Sequence, residues 1–508
     1  MPADHELPTR SAVELRTLIA RRELAPLELL DACIARIERL NPAINALAAT
    51  DFERARAAAR AAGDAVAQGR PLGLLHGLPL GVKDLQDTAG LLTTSGNVRL
   101  RGHVPRSDLG FVARLRAAGA LVAAKTNTPD MAAGANTRNV VWGATGNPFD
   151  PALNAGGSSG GSAAALATDL LPLATGSDTG GSLRIPAALC GVVGLRTSPG
   201  LVAHERRPLG WSPLSVMGPM ARSIDDTALL LAASVGFDAR DPLSVPADPA
   251  AFWPLPERDP ARLRIAYTED FGICAVDPGV RAAFRARIDA LAPHVARCEP
   301  LVLDVGDADR VFDIVRAEGF VGTFGELYRR EPESLGPNIR ANVELAAGIT
   351  LADRAWAHRE QTALARRFAQ VFESFDLVLA PVTPLPPFPW TQLYAERIDG
   401  QPMRNYYHWV ALTYIVTLAT NPALSLPCGR DALGLPFGLQ VIGAPRGDAA
   451  LLAAARALEG LFAATPALAR PRPDLAALAR PRPELKSIVT HPPVYGGAPG
   501  DNADLIAV

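Results

Sequence analysis

Two glycine- and serine-rich runs, Gly156-Gly157-Ser158-Ser159-Gly160-Gly161 and Gly176-Ser177-Asp178-Thr179-Gly180-Gly181-Ser182-Leu183-Arg184, decide how this chain is read. Both sit inside a stretch from 143 to 200 that is dense in Gly, Ser and Thr. A linker would lack the apolar segments interleaved with them, Ala163 to Leu173 and Ile185 to Leu195. The stretch is therefore expected to be a packed, turn-rich part of the core, with glycine marking close backbone approach.

Working outward, GLPLGVKD reads as a buried strand ending at Lys83 and Asp84, where functional side chains are well placed. Phe111 to Ala118 has the period of a short helix and Leu121 to Lys125 that of a strand, and the alternation continues as expected of an α/β sheet. Residues 11 to 70 read as helices, with Ser11 and Glu14 as a capping box and Pro26 at a first helical position. Residues 250 to 370 are more helical and more charged, and are expected to cover the sheet and shape a substrate mouth. DLVLAPVTPLPP, NPALSLPCG and GLPFGLQVIG read as three further strands, carrying the sheet to about residue 443. The expected organisation is one domain over 1–465, followed by an arm over 466–508 in which ALARPRPDL repeats as ALARPRPEL; its prolines rule out a continuous helix and favour an extended surface arm.

The bulk composition excludes several function classes. Of 508 residues, 48% are hydrophobic and 20% charged, which fits a globular chain with a sizeable core. A net charge of −2 without single-sign blocks gives no footprint for nucleic acid or an anionic membrane surface. The five cysteines are scattered singly, with no C-x-x-C pair, so free thiols in a reducing compartment are expected rather than disulfides or a zinc site. The N-terminus has no signal-peptide pattern and no uncharged apolar run of about 18 residues occurs, so a cytoplasmic location is expected. A homodimer rests only on the general frequency of dimers.

The three segments together hold the parts of an acyl-transfer site. A serine hydroxyl is a poor nucleophile unless a base takes its proton. None of the eight histidines lies in these runs, which leaves lysine. Lysine acts as a base only when neutral, and burial at the end of an apolar strand could keep Lys83 so. The Gly-Gly-Ser turn at 180–182 frees successive N–H groups, Thr179 through Ser182, to converge on a developing oxyanion.

The stretch from GGSSGGSAAALA through GSDTGGSLRIPAALCGVVGLR resembles the signature of the amidase signature family, and GVKD resembles that family's lysine motif. AKTNTPDMA, GNPFDP, GPMARSIDDTALLLAASVG, DLVLAPVTP, NPALSLPCG and GLPFGLQVIG resemble further family blocks in the family's order, with 250–370 matching least. The resemblance implies an α/β/α sandwich with a large twisted mixed sheet covered by helices on both faces. It implies Ser182 as nucleophile, Ser158 as relay serine after a cis Gly157-Ser158 bond, and Lys83 as base, forming a Ser-cisSer-Lys triad. Thr179, Gly180, Gly181 and Ser182 would supply the oxyanion N–H groups, with Ser159, Asp178 and Arg184 in support. It implies no metal and no organic cofactor, and a small-molecule amide substrate. Asp130 and Met131 stand where many relatives show Glu and Phe.

Several rivals share these residues. Gly156-x-Ser158-x-Gly160 also fits a nucleophile elbow, with Asp376 and His408 as nominal partners. The same triad could belong to the amidase-like subunit of a tRNA-dependent amidotransferase, to a carbamate or ester hydrolase, or to a binding module without chemistry. A hydrophobic amide or anilide is expected as substrate, because the aromatic cluster Tyr406, Tyr407, His408 and Trp409 could line its pocket. Cys190 reads as a core thiol, since no basic neighbour would lower its pKa.

Overall fold

Eleven strands of the computed structural model, which describes residues 6–500, join into one mixed sheet, beside a few two-stranded ribbons. In chain order they are β1 (Leu47–Thr50), β2 (Pro79–Lys83), β3 (Leu121–Thr126), β4 (Leu173–Asp178), β5 (Val193–Arg196), β6 (Val216–Ala221), β7 (Arg264–Tyr267), β8 (Arg297–Pro300), β9 (Leu377–Pro381), β10 (Ala423–Arg430) and β11 (Pro436–Ile442). In space they run β1-β3-β2-β4-β6-β5-β10-β11-β9-β7-β8. The pairs β3/β2, β2/β4, β9/β7 and β7/β8 are parallel, and the remaining neighbours are antiparallel. Every residue of β2, β4 and β9 is buried; β9 (LVLAP) accordingly reads as an unbroken apolar run, whereas β4 (LATGSD) and the end of β2 bury polar side chains as well.

Helices flank this sheet on both faces, as an α/β/α architecture requires. Ser11 accepts a hydrogen bond from the Glu14 amide and caps the helix Ala12–Ala20, but the Glu14 carboxylate turns to Arg10. Pro26 opens the helix Pro26–Ile44 at a first-turn position. The helix Gly160–Ala167 is buried along its whole length. Its glycines have a steric reason: a Cβ on Gly161 would lie 2.2 Å from the Asn127 amide nitrogen and 2.4 Å from the Ala46 carbonyl. The helix can thus press directly on the backbone that follows β3.

Three expectations change. The segment read as helices to residue 70 contains β1, a four-residue edge strand lying between two helices. The region read as helical from 250 to 370 does supply the long helices Ala308–Arg330 and Leu351–Ser374, but it also adds β7 and β8 to the sheet. Each strand is only four residues long and partly exposed, too short for a period-two signal to stand out. The C-terminal segment is more than a surface arm: Leu478 and Leu485 are fully buried, the Arg482 amide donates to the Pro42 carbonyl, and Pro499–Gly500 pairs in parallel with Val104–Pro105. The last residues of the expected arm, 501–508, lie outside the described residues, as do residues 1–5.

Leu485, packed against Ala144 and Trp390, makes this strap testable. Leu485→Ala should lower unfolding free energy by about 2–5 kcal/mol in urea titrations, as expected for a large-to-small change at a buried site. Leu433→Ala, at a position 70% exposed, should stay within about 0.5 kcal/mol of wild type.

Candidate active site

Lys83 closes β2 with its side chain fully buried. Its backbone N–H donates to Thr175 Oγ1 at 3.0 Å, which ties the end of β2 to neighbouring β4. Its Nζ lies 2.6 Å from Ser158 Oγ and 2.9 Å from Ser177 Oγ. Burial pushes the amine down from 10.5 to about 7, against the opposing pull of the Asp178 charge. The direction of this shift favours the neutral amine near neutral pH. A second buried lysine, Lys125, is held by Thr88 Oγ1 at 2.9 Å and by the Gln86 carbonyl, away from the serines.

Ser158 follows a cis Gly157-Ser158 peptide at the mouth of the turn into helix Gly160–Ala167. The next amide, Ser159 N–H, donates to the Ser182 carbonyl at 3.2 Å and so fixes the two serine-rich turns side by side. The second turn leaves the end of β4 at Asp178. Asp178 accepts from the amides of Gly181 (2.8 Å) and Leu183 (3.2 Å) and from Arg184 Nε and Nη2 (3.0 Å each), with Arg196 Nη1 at 3.3 Å. Burial alone would raise the Asp178 pKa; the two guanidinium groups overcome this and hold it well below the usual carboxylate range. Gly181 has φ +125, and a Cβ there would meet Thr413 Oγ1 at 2.3 Å, so only glycine fits the turn. Thr413 in turn donates to the Gly180 carbonyl at 2.6 Å.

Ser158, Ser177, Thr179, Gly180 and Ser182 come together on the wall of one cavity of about 1390 Å³. Ser182 is half-buried there, and among the described residues its hydroxyl makes no hydrogen bond. Two assignments shift. The Gly181 N–H is taken by Asp178 Oδ1 and Gly181 does not line the cavity, so it is not an oxyanion donor in this arrangement; Thr179, Gly180 and Ser182 are the residues of that turn that border the cavity. Ser159 reaches Ser177 only at 3.4–3.5 Å through its hydroxyl and supports the site mainly through its backbone.

Ser177 is a site residue that the motifs do not single out. The period-two rule is the available signal: Thr175 and Ser177 share one face of β4, and both contact Lys83. Thr413, Thr417 and Gln440, which complete the hydrogen bonds of Arg184, carry no local signal because they lie more than 200 residues downstream.

The aromatic cluster divides. Tyr406 and Tyr407 line the cavity, whereas His408 bonds Asp309 at 3.1 Å and Trp409 is buried edge-on against Phe388. The nucleophile-elbow partners are apart: Asp376 pairs with Arg264 and Arg258, and His408 with Asp309, while Ser158 contacts Lys83. Cys190 is fully buried, its thiol pushed up by desolvation. Asp130 accepts from Asn97 Nδ2 and the Gly336 amide at 2.7 Å each, and Met131 lines the cavity.

The Asp178 cluster yields a direct stability test. Asp178→Asn keeps the shape but leaves Arg184 and Arg196, both without solvent exposure, lacking their shared counter-charge. Chemical denaturation should show a loss of about 3–5 kcal/mol, as for other broken buried ion pairs; a loss below about 1 kcal/mol would contradict the role given to this cluster.

Comparison with known proteins identifies the family. A family model described as Amidase matches residues 28–452. A glutamyl-tRNA(Gln) amidotransferase subunit from Chloroflexus aurantiacus is 35% identical over 448 residues, 84% of this chain and 91% of that protein. A bacterial aryl acylamidase structure of the amidase signature family superposes with a TM-score of 0.83 at 26% identity, over 94% of this chain and 98% of its own. The corresponding glutamyl-tRNA(Gln) amidotransferase structure from Thermotoga maritima superposes with a TM-score of 0.70 at 25% identity, over 89% and 95% of the two chains. With a family match across most of its length and relatives of this kind, the chain belongs to the amidase (amidase signature) family.

Proposed function

We propose that this protein hydrolyses the C–N bond of a linear amide or anilide with an apolar flank, through an acyl-enzyme on Ser182. The observation that carries the reading is the buried Lys83 amine 2.6 Å from Ser158 Oγ, beside a cavity that Ser182 also faces. A neutral amine has one lone pair and two N–H groups, so it accepts the Ser158 proton while donating to Ser177. Ser158, having passed its proton on, takes that of Ser182 as Ser182 attacks the carbonyl. The N–H groups of the Thr179–Ser182 turn, Gly181 excepted, receive the oxyanion, each such donor being worth about 3–4 kcal/mol of barrier. The relay then returns the proton to the leaving amine, and water releases the acid. The apolar flank is supported by Phe312, Phe320, Met217 and Ile185 on the cavity wall.

We further place the amidase unit at 1–465, with 250–370 shaping the entrance, and the chain in the cytoplasm. Its five cysteines are all free, and among the described residues no helix is long and apolar enough to cross a membrane. A second reading, glutaminase subunit of a tRNA-dependent amidotransferase, draws support from the names of curated relatives at about 35% identity. Ammonia release from glutamine only when a partner protein is added would favour it over the stand-alone enzyme.

Because Lys83 must be neutral to act, and its pKa is lowered to about 7, kcat/KM should rise with pH and level off above about 7. A profile still climbing past pH 9 would contradict the assignment. A fluorophosphonate should label Ser182 and no other serine, as read by peptide mass spectrometry. Ser182→Ala should cost about 10⁴-fold or more in kcat on an activated anilide; an adduct on Ser158 would overturn the assigned roles.

A further inference from the structure

Among the apolar residues of the cavity wall stands an arginine that has no carboxylate partner among the described residues. Arg316, on the helix Ala308–Arg330, is 8% exposed and lines the cavity. Its guanidinium lies 4.7 Å from the Phe320 ring centre, 5.0 Å from Tyr407, 5.6 Å from Tyr406 and 5.7 Å from Phe312, a four-ring enclosure that favours a cation. Nε donates to Asn342 Oδ1 at 3.1 Å and Nη2 to Tyr406 Oη at 2.6 Å, so the plane of the fork is fixed. Asn342 is oriented by the same contact: its oxygen faces Arg316, so its amide nitrogen donates to Tyr406 Oη at 2.6 Å.

No carboxylate lies within ion-pair distance of Arg316 among the described residues. Asp313, three residues earlier, is taken by Tyr407 Oη at 2.7 Å and by Arg404 at 2.6 Å. Nη1 of Arg316 makes no hydrogen bond among the described residues, yet it is not one of the buried unpaired atoms, so it is open to the cavity. Burying a guanidinium without a charge partner is costly unless something else supplies the anion. Phe312, one helical turn earlier, lies against Gly180, and its ring is 5.7 Å from the Arg316 guanidinium, so the helix that carries Arg316 packs on the turn that carries Ser182.

We infer that Arg316 binds a carboxylate carried by the substrate a short acyl chain away from the scissile amide, making the preferred substrate a monoamide of a linear dicarboxylic acid. This rests on the amide-hydrolase reading and specifies its substrate. The aliphatic chain would lie along Phe312 and Phe320, and the carboxylate would meet Nη1 and the Tyr406 hydroxyl, whose proton is free because both neighbours donate to its oxygen.

The test uses para-nitroanilides of succinic, glutaric and adipic acid beside the fatty-acid anilides of equal length, in which a methyl replaces the distal carboxylate. Wild type should prefer the carboxylated member of at least one pair by about tenfold or more in kcat/KM, in line with a charge-assisted hydrogen bond. Arg316→Met, which keeps an apolar stem among the rings, should bring the pair to within about threefold by lowering only the carboxylated substrate; Arg316→Lys should retain part of the preference. Equal rates for wild type on every pair, or an equal fall on both members in Arg316→Met, would overturn the inference. Calorimetry separates it from the catalytic reading: adipate should bind Ser182→Ala as tightly as wild type and lose about tenfold or more in Arg316→Met, whether or not any anilide is cleaved. Hexanoate binding as tightly as adipate would equally refute it.

Discussion

An amino group removed from water at the end of β2 is the constraint around which the proposed chemistry is arranged. Lys83 has no solvent exposure, and among the described residues its amine touches only hydroxyls, those of Ser158 and Ser177, while Thr175 takes its backbone N–H. Hydroxyls can donate as well as accept, so this environment tolerates the neutral amine without stranding it. A carboxylate in contact would have held the charge on lysine and removed its use as a base. Asp178, the carboxylate whose charge opposes the shift, is already committed to two arginines.

That separation of charges explains much of the surrounding fold. Arg184 and Arg196 hold Asp178 ionised, and Asp178 directs its oxygens to the Gly181 and Leu183 amides, which shapes the turn that carries Ser182. The far side of Arg184 is completed by Thr413, Thr417 and Gln440, so β11 and the helix Ala411–Leu418 are tied to the same turn. The buried ion cluster thus works as a geometric brace. Ser177 and Asp178 are successive residues of β4, and the alternation of a strand sends one towards the lysine and the other towards the arginines.

How much of this can be read from the chain follows from how local each cause is. The end of β2, the two serine turns and the apolar strands announce themselves because a few adjacent residues determine them: Gly181 by its positive φ and crowding, Lys83 by the run of buried residues before it. The short edge strands β1, β7 and β8 are not legible, since four partly exposed residues carry no period and their pairing comes from distant partners. The Gly181 amide departs from its expected role for a related reason. A glycine turn advertises free N–H groups, but which of them face the cavity depends on where the Asp178 oxygens fall. The aromatic run at 406–409 meets its expectation only in part: one helical turn splits it, sending Tyr406 and Tyr407 to the cavity and Trp409 into the core.

The cavity itself joins residues from the signature turns, the loop at 204–215 and the helix Ala308–Arg330, the last of these from the part of the chain that resembles the family least. All of it presupposes an uncharged Lys83. Carbon-13 labelling of lysine and titration of the Lys83 Cε signal, assigned by comparison with Lys83→Met, would measure this directly. The account predicts a midpoint near 7; a midpoint near 10, as for lysine in water, would contradict it.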